Sequence, residues 1–252
     1  MTIKLHLDED MHVHSVFSDG KSTLEANVAR ACSLGLRRMV CVDHVRRDTR
    51  WLPEFITEVT RLRRRYPMIE LEVGVEAKIA SVSGRLDLPR DLTGVDRIYA
   101  ADHRLPWCDV SLVPRQVKLM LAEGTLTRQS VISLLVDSTA RSMRRHHEKL
   151  VVAHLFSFLP KVGICESEVS EQSIRKLAAT ALQTGAVFEI DERWRCPSVR
   201  VAKLLADEGV PLWASTDAHH VDKLGQYDYV AEVAATLQGE TYVPPGGLEW
   251  AA

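Results

Sequence analysis

Residues 10–20 read DMHVHSVFSDG. A strand turns alternate side chains to one face, so His12 and His14 face the same way, as two ligands of one metal must. The SDG that follows, with Asp19, reads as a loop. Isolated HxH pairs also arise incidentally, so the meaning of this one rests on its surroundings. Outward along the chain one unit recurs: a short apolar or β-branched run, then a longer stretch of helical periodicity. The seven runs are DMHVHS, RMVCVDH, IELEVGVE, VDRIYAADH, KLVVAH, GAVFEID and GVPLWASTDAH. Strand and helix alternating in this way predict a parallel sheet covered by helices, and 252 residues suit one α/β barrel domain.

Helices are expected at Leu24–Leu34, Pro53–Arg65, Ser111–Glu123, Gln129–His146, Glu171–Thr184, Pro197–Glu208 and Tyr227–Leu237. STLE at 22–25 has the capping-box pattern, and Pro197 suits the first position of a helix. SLGL at 33–36, QTGA at 183–186 and DEGV at 207–210 each place a glycine between helix and strand, as a C-cap requires. No repeat, low-complexity segment or linker interrupts the pattern, and the tail, about 239–252, reads as loose.

The formal net charge of −2 supplies no global argument for a nucleic-acid partner. The basic runs RLRRRYP at 61–67 and RSMRRHHEK at 141–149 fall at expected helix ends and read as solvated cations, with His146 and His147 on the surface. No apolar run approaches the roughly 18 residues that span a bilayer. MTIKLHLDEDMH lacks the apolar stretch of a secretory signal, so a cytoplasmic chain is expected, with no membrane partner. Five cysteines without a CxxC pair suit reduced thiols, most of them in the core.

Six of the ten histidines, and the most suggestive carboxylates, stand at or just past the end of an expected strand. His12 and His14 follow the first, with Asp19 in the loop; His44, Glu76, His103 and His154 end later ones; Asp217 and His219 end the last. In a parallel α/β barrel those ends form the rim that carries the active site. Each alone also fits a hydrogen-bonded core residue, but Glu76 in an otherwise apolar strand would be costly without a cation. Nine such side chains converging from one rim offer more ligands than one metal can use.

The motifs HVHSVFSDG, VDH, GVE, ADH, AH and STDAH, in this order from Asp10 to about Tyr227, resemble the polymerase and histidinol phosphatase (PHP) superfamily of metal-dependent phosphoesterases. The resemblance implies a distorted TIM-like (β/α)7 barrel as a single domain over 1–252, with two or three divalent metal ions (Zn, Mn or Fe) in the cleft at the strand ends. It assigns His12, His14, Glu76 and Asp217 to a first metal. Glu76 would bridge to a second, held also by His103 and His154, and Asp19, His44 and His219 would hold a third. In this scheme Glu76, Asp217 and His219 are the catalytic candidates, the last two for proton transfer.

The function this implies is hydrolysis of a phosphomonoester, the substrate a small phosphorylated metabolite such as histidinol phosphate or a nucleotide. Arg46, Arg47, Lys78, Arg104, Arg193 and Arg195 follow strand ends and are the candidate phosphate cations. LFSFLPKVGIC after His154 and ERWRCP after the sixth strand depart from histidinol phosphatases, which leaves the substrate open. The rivals are a phosphodiesterase or nuclease, a hydrolase of lactones or amides, and a non-catalytic binding module. Glu189 and Asp191 end the sixth strand but match no family ligand; Asp191 reads either as a substrate contact or as an ion-pair partner of Arg193 or Arg195. Asp43 and Asp102 are candidates for orienting their neighbouring histidines or capping local backbone. In the HH pair, His219 is the expected ligand and His220 the bystander.

Overall fold

The computed structural model describes residues 4–240 and 242. In chain order the elements are β1 (Glu9–Val13), α1 (Leu24–Ser33), β2 (Arg38–His44), α2 (Leu52–Arg65), β3 (Glu70–Lys78), β4 (Arg97–Ala101), β5 (Leu105–Trp107), β6 (Val110–Leu112), α3 (Pro114–Ala122), α4 (Arg128–His146), β7 (Leu150–Ala153), α5 (Phe158–Lys161), α6 (Glu171–Thr184), β8 (Val187–Asp191), α7 (Val199–Asp207), β9 (Leu212–Ser215) and α8 (Tyr229–Gln238). Seven strands pair in parallel in the order β1-β2-β3-β4-β7-β8-β9, so all seven expected strands form one sheet. A parallel bridge between Val13 and Ala218, with the His14 N–H donating to the Ala218 carbonyl at 2.9 Å, brings its edges together into a nearly closed (β/α)7 barrel.

Two apolar clusters follow from strand alternation. Met39, Cys41, Leu71, Val73, Val75, Ile98, Phe188 and Leu212 face the helices in a large outer core. Met11, Val40, Val42, Tyr99, Ala101, Val151 and Ala153 fill the barrel interior. Gly74 belongs to the same layer: a Cβ there would lie 2.8 Å from Val42 Cγ2 and 2.9 Å from Val40 Cγ1. Below this layer, at the N-terminal end of the strands, the guanidinium groups of Arg38 and Arg97 lie 5.1 and 4.9 Å from the Trp213 ring centroid. Glu72 pairs with both arginines, so the barrel floor is a closed polar plug.

Several local expectations are corrected. Thr23, not Ser22, caps α1 by accepting from the Ala26 N–H at 3.2 Å, while the Ser22 hydroxyl accepts from Val221 N–H. Pro197 lies outside α7: it follows a cis Cys196–Pro197 bond, and Ser198 is the cap. Ser111 does not start a helix, because 105–112 fold into the antiparallel β5–β6 hairpin and α3 begins at Pro114. Gly35, Gly185 and Gly209 do hold the left-handed conformation after their helices. All five cysteines are free, with Cys41 and Cys196 buried but Cys108 and Cys165 exposed, so the core reading holds for only part of the set.

The cations of the basic run 141–149 are exposed as expected, and some of them also bond to backbone. Arg141 donates to the Val82 carbonyl at 2.6 Å and Arg145 to that of Ser83 at 3.0 Å, which ties the end of α4 to the β3–β4 connection. Gly239 ends α8; of the tail, residues 241 and 243–252 lie outside those described. Among the described residues no helix is long and apolar enough to cross a membrane.

Candidate metal centre

Interior positions step by two along each strand and end at the mouth in a ligand-type side chain. On β2 the series is Arg38, Val40, Val42, His44; on β3 it is Glu72, Gly74, Glu76; on β4 it continues past Tyr99 and Ala101 to His103. Two departures from this rhythm serve the site. The register of β1 against β2 shifts between Asp10 and Val13, so Met11 and His12 both face inward while Val13 joins the outer core. His154 would point outward by alternation after Ala153, but a backbone φ of +29° turns its imidazole back to Glu76.

All nine expected ligand residues meet at this mouth. Glu76, 1% exposed, lies at the centre: Oε1 is 2.9 Å from His154 Nε2 and 3.2 Å from His103 Nε2. Its Oε2 is 2.8 Å from His44 Nδ1, 3.4 Å from His14 Nε2 and 3.6 Å from His12 Nε2. The Nε2 atoms of His12 and His14 are 3.0 Å apart, and Asp217 Oδ1 is 3.1 Å from His14 Nε2. On the outer side, Asp19 Oδ1 lies 3.2 Å from His219 Nε2 and 3.5 Å from His44 Nε2. Nitrogen and oxygen donors of His14, Asp19, His44 and His219, of His12, His14 and Glu76, and of His44, Glu76 and His103 thus form three overlapping groups, each within 4.8 Å.

The electrostatics fit cations. Glu76 Oε2 and His14 Nδ1 are buried with no hydrogen-bond partner among the described residues. Such orphans are expensive unless a positive ion completes them. Burial disfavours charge on Glu76, yet His103 and His44 outweigh it and hold its pKa well below the ordinary carboxylate value. Burial likewise opposes a charged His44, but Glu76 and Asp19 lift its pKa to about 10. Hydrogen bonds from His219 and His44 hold Asp19 low.

A ring of buried carboxylates behind the cluster was only partly visible in sequence. Asp102 accepts from the Ser157 hydroxyl at 2.6 Å, and Ser157 Oγ is 3.0 Å from His154 Nδ1, so Asp102 orients its distant neighbour His154 rather than the adjacent His103. Asp43 accepts from Ser15 N–H at 3.1 Å and from the Ser15 and Ser18 hydroxyls, fixing the loop that carries Asp19. Gly20 closes that loop against backbone: a Cβ there would lie 2.7 Å from Ser15 N. Glu189 Oε2 lies 3.0 Å from His12 Nδ1 and accepts from the Ser215 hydroxyl at 3.0 Å, and Oε1 accepts from His154 N–H at 2.6 Å. The signal for Glu189 was available: an acidic residue at an interior position of an apolar strand needs a partner.

Asp191 pairs with neither Arg193 nor Arg195. It is wholly buried, accepts from Trp194 N–H at 2.7 Å, and has no hydrogen-bond partner at Oδ2 among the described residues. Burial, reinforced by Asp217 and Glu189, pushes its pKa well up. Trp194 is a site residue that the sequence reading passed over: its indole N–H donates to Asp217 Oδ2 at 2.9 Å, and Lys161 Nζ lies 3.9 Å from its ring centroid.

The six candidate cations divide. Arg46, Lys78 and Arg104 line a cavity of about 560 Å³ together with His44, Glu76 and His103. Arg193 lines a second, of about 590 Å³, and sits 3.2 Å from Asp217 Oδ2 and 2.6 Å from His219 Nδ1. Arg195 instead turns to α8, 3.4 Å from Glu232 and over the Tyr229 ring. Arg47 lines neither cavity, and its backbone N–H donates to Asp87. His220 is exposed, pairs with Asp222 at 3.2 Å, and lines the same cavity as Arg193.

A family model described as the PHP domain matches residues 10–185, which takes in all the ligand-type residues except Asp217 and His219. No curated protein matches the sequence significantly. Among solved structures the chain is similar to a Bifidobacterium adolescentis protein provisionally named a metal-dependent phosphoesterase, at 16% identity and a TM-score of 0.45, over 87% of this chain and 89% of that one. It is also similar to a D-hydantoinase (dihydropyrimidinase) from a Thermus species, at 11% identity and a TM-score of 0.43, over 95% of this chain and 62% of that one. A dihydropyrimidinase from Brevibacillus agri aligns at 11% identity and a TM-score of 0.39, over 83% and 57%.

Proposed function

The chain belongs to the PHP domain family, and on that premise we propose that it is a metal-dependent hydrolase of phosphate esters, acting as a phosphomonoesterase on a small metabolite. The observation that carries this reading is the division of Glu76, whose two oxygens each face a separate set of histidine nitrogens while Oε2 has no hydrogen-bond donor. His12, His14, Glu76 and Asp217 would hold one divalent ion, Glu76, His103 and His154 a second, and Asp19, His44 and His219 a third. Imidazole and carboxylate suit Zn, Mn or Fe.

Bound ions of this kind supply charge neutralisation and an acidified water to a phosphoryl centre. The chain supplies the rest. Arg46, Lys78 and Arg104, on one side of the cluster, attract and orient the phosphate oxygens. Arg193 holds His219 and Asp217 in place from the other side. Asp217 is held at Oδ2 by Trp194 and Arg193 and at Oδ1 by His14, whereas His219 reaches solvent at 17% exposure.

A second reading, phosphodiester hydrolysis, is favoured by one observation: the two cavities lie on either side of Asp19, leaving room for a substituent in each direction. A screen of phosphomonoesters against bis-p-nitrophenyl phosphate, with Mn²⁺ or Zn²⁺ supplied, separates the two. Turnover of monoesters is expected. Inert monoesters beside a hydrolysed diester would replace the first reading by the second, and no turnover with fewer than one bound metal per chain would remove both.

A further inference from the structure

We infer that Glu189 is a positioning residue that sets the ring tautomer of His12 and pins the backbone of His154, so that one carboxylate governs ligands of two metal positions; this rests on the metal reading above. The sixth strand of the barrel carries none of the nine expected ligands, yet it points the fully buried Glu189 into the space beneath them. Its contacts are His12 Nδ1 and the Ser215 hydroxyl at Oε2, each at 3.0 Å, and His154 N–H at Oε1, at 2.6 Å. Oε2 already accepts from the Ser215 hydroxyl, and a carboxylate oxygen that accepts pairs with His12 Nδ1 as a donor, which puts the ring proton on Nδ1. The lone pair of Nε2 is then free, and that nitrogen is the one facing His14 Nε2, Glu76 Oε2 and Asp217 Oδ1. His154 needs the second hold because it occupies the left-handed region, at φ +29°, where a non-glycine residue persists only if its surroundings fix it.

Glu189→Gln gives a sharper test than truncation. The backbone N–H of His154 cannot rotate away, so the amide oxygen of glutamine must take the Oε1 position. Its NH2 then faces His12 Nδ1 and donates to it, which moves the ring proton to Nε2 and closes that nitrogen to a metal. Ser215, free to turn its hydroxyl, can adapt to either group.

The experiment uses the full chain and Zn²⁺ as the probe, with calorimetric titration of the metal-stripped protein and ¹⁵N–¹H correlation of the histidine rings in the Zn²⁺-loaded protein, His12 being identified by its loss in His12→Ala. Expected are His12 as the Nδ1–H tautomer in the wild type, the Nε2–H tautomer in Glu189→Gln, and about 10–100-fold weaker Zn²⁺ binding at one position in that variant. Ser215→Ala should stay within about twofold of wild type, since its loss leaves both other donors on Glu189. Equal Zn²⁺ affinity and an unchanged tautomer in Glu189→Gln would overturn the inference while leaving the metal reading intact. A wild-type chain that takes up no Zn²⁺ would overturn both. If Glu189→Gln does not fold, the wild-type spectrum still decides: a His12 ring protonated at Nε2 is incompatible with the inference.

Discussion

Glu76 faces five histidines with its two oxygens. Glu76→Ala should lower turnover by at least about 10³-fold and reduce bound metal, judged by steady-state rates and elemental analysis of the same preparation. The far-UV circular dichroism should be unchanged, because the barrel pairs through backbone that the substitution does not alter. His220 is the matching control. Its partner is the exposed Asp222, so His220→Ala should leave kcat and KM within about twofold. Arg104 is exposed and lines the smaller cavity. Arg104→Ala should raise KM for a phosphomonoester by about tenfold with little change in kcat, the pattern of a residue that binds ground state and transition state alike.

At the scale of strands and helices, Gly74 is the element interior most sensitive to a single added carbon. Its Cβ would meet Val42, Val40 and the Tyr99 ring, the last at 3.1 Å, inside a packed layer. Gly74→Ala should cost about 1–3 kcal/mol, seen as a fall of several degrees in Tm. The seven strands were legible because each is a short apolar run bounded by helix signals, and the ligand residues were legible because strand ends in this architecture share one rim. Ser111 and Pro197 misled because tertiary context took those segments: a hairpin claimed the first and a turn with a cis bond the second. The carboxylates behind the cluster were harder, since which histidine each one serves depends on register between strands far apart in sequence. Asp102 orienting His154, 52 positions later in the chain, is such a case.

For the molecule as a whole, closure of the barrel and assembly of the cluster are one event, because β1 contributes to both. Asp10 holds the seam from the first strand: it accepts from Thr216 N–H and Gly225 N–H, each at 3.0 Å, and from the Thr216 hydroxyl at 2.6 Å. Asp10→Ala would strand buried donors and should lower stability by about 2–4 kcal/mol in urea unfolding, with metal content falling in parallel. Acidity acts on the same assembly. In the metal-free protein the neighbouring carboxylates lift His44 to about 10 and shift His12 and His154 upward as well, which favours protons on all three. A metal must displace those protons. Zn²⁺ uptake at pH 7 should therefore release protons, and apparent affinity should rise with pH through the neutral range and fall on acidification. Titration in buffers of different ionisation enthalpy measures the release, and a buffer-independent heat would contradict it. The floor of the barrel sets a different kind of limit. With Arg38 and Arg97 near the Trp213 ring and a buried apolar layer above them, the filled interior leaves the mouth as the end that reaches the cluster. On the proposed reading, a released phosphate would leave by the route the next substrate must enter, and the two would compete for the same doorway.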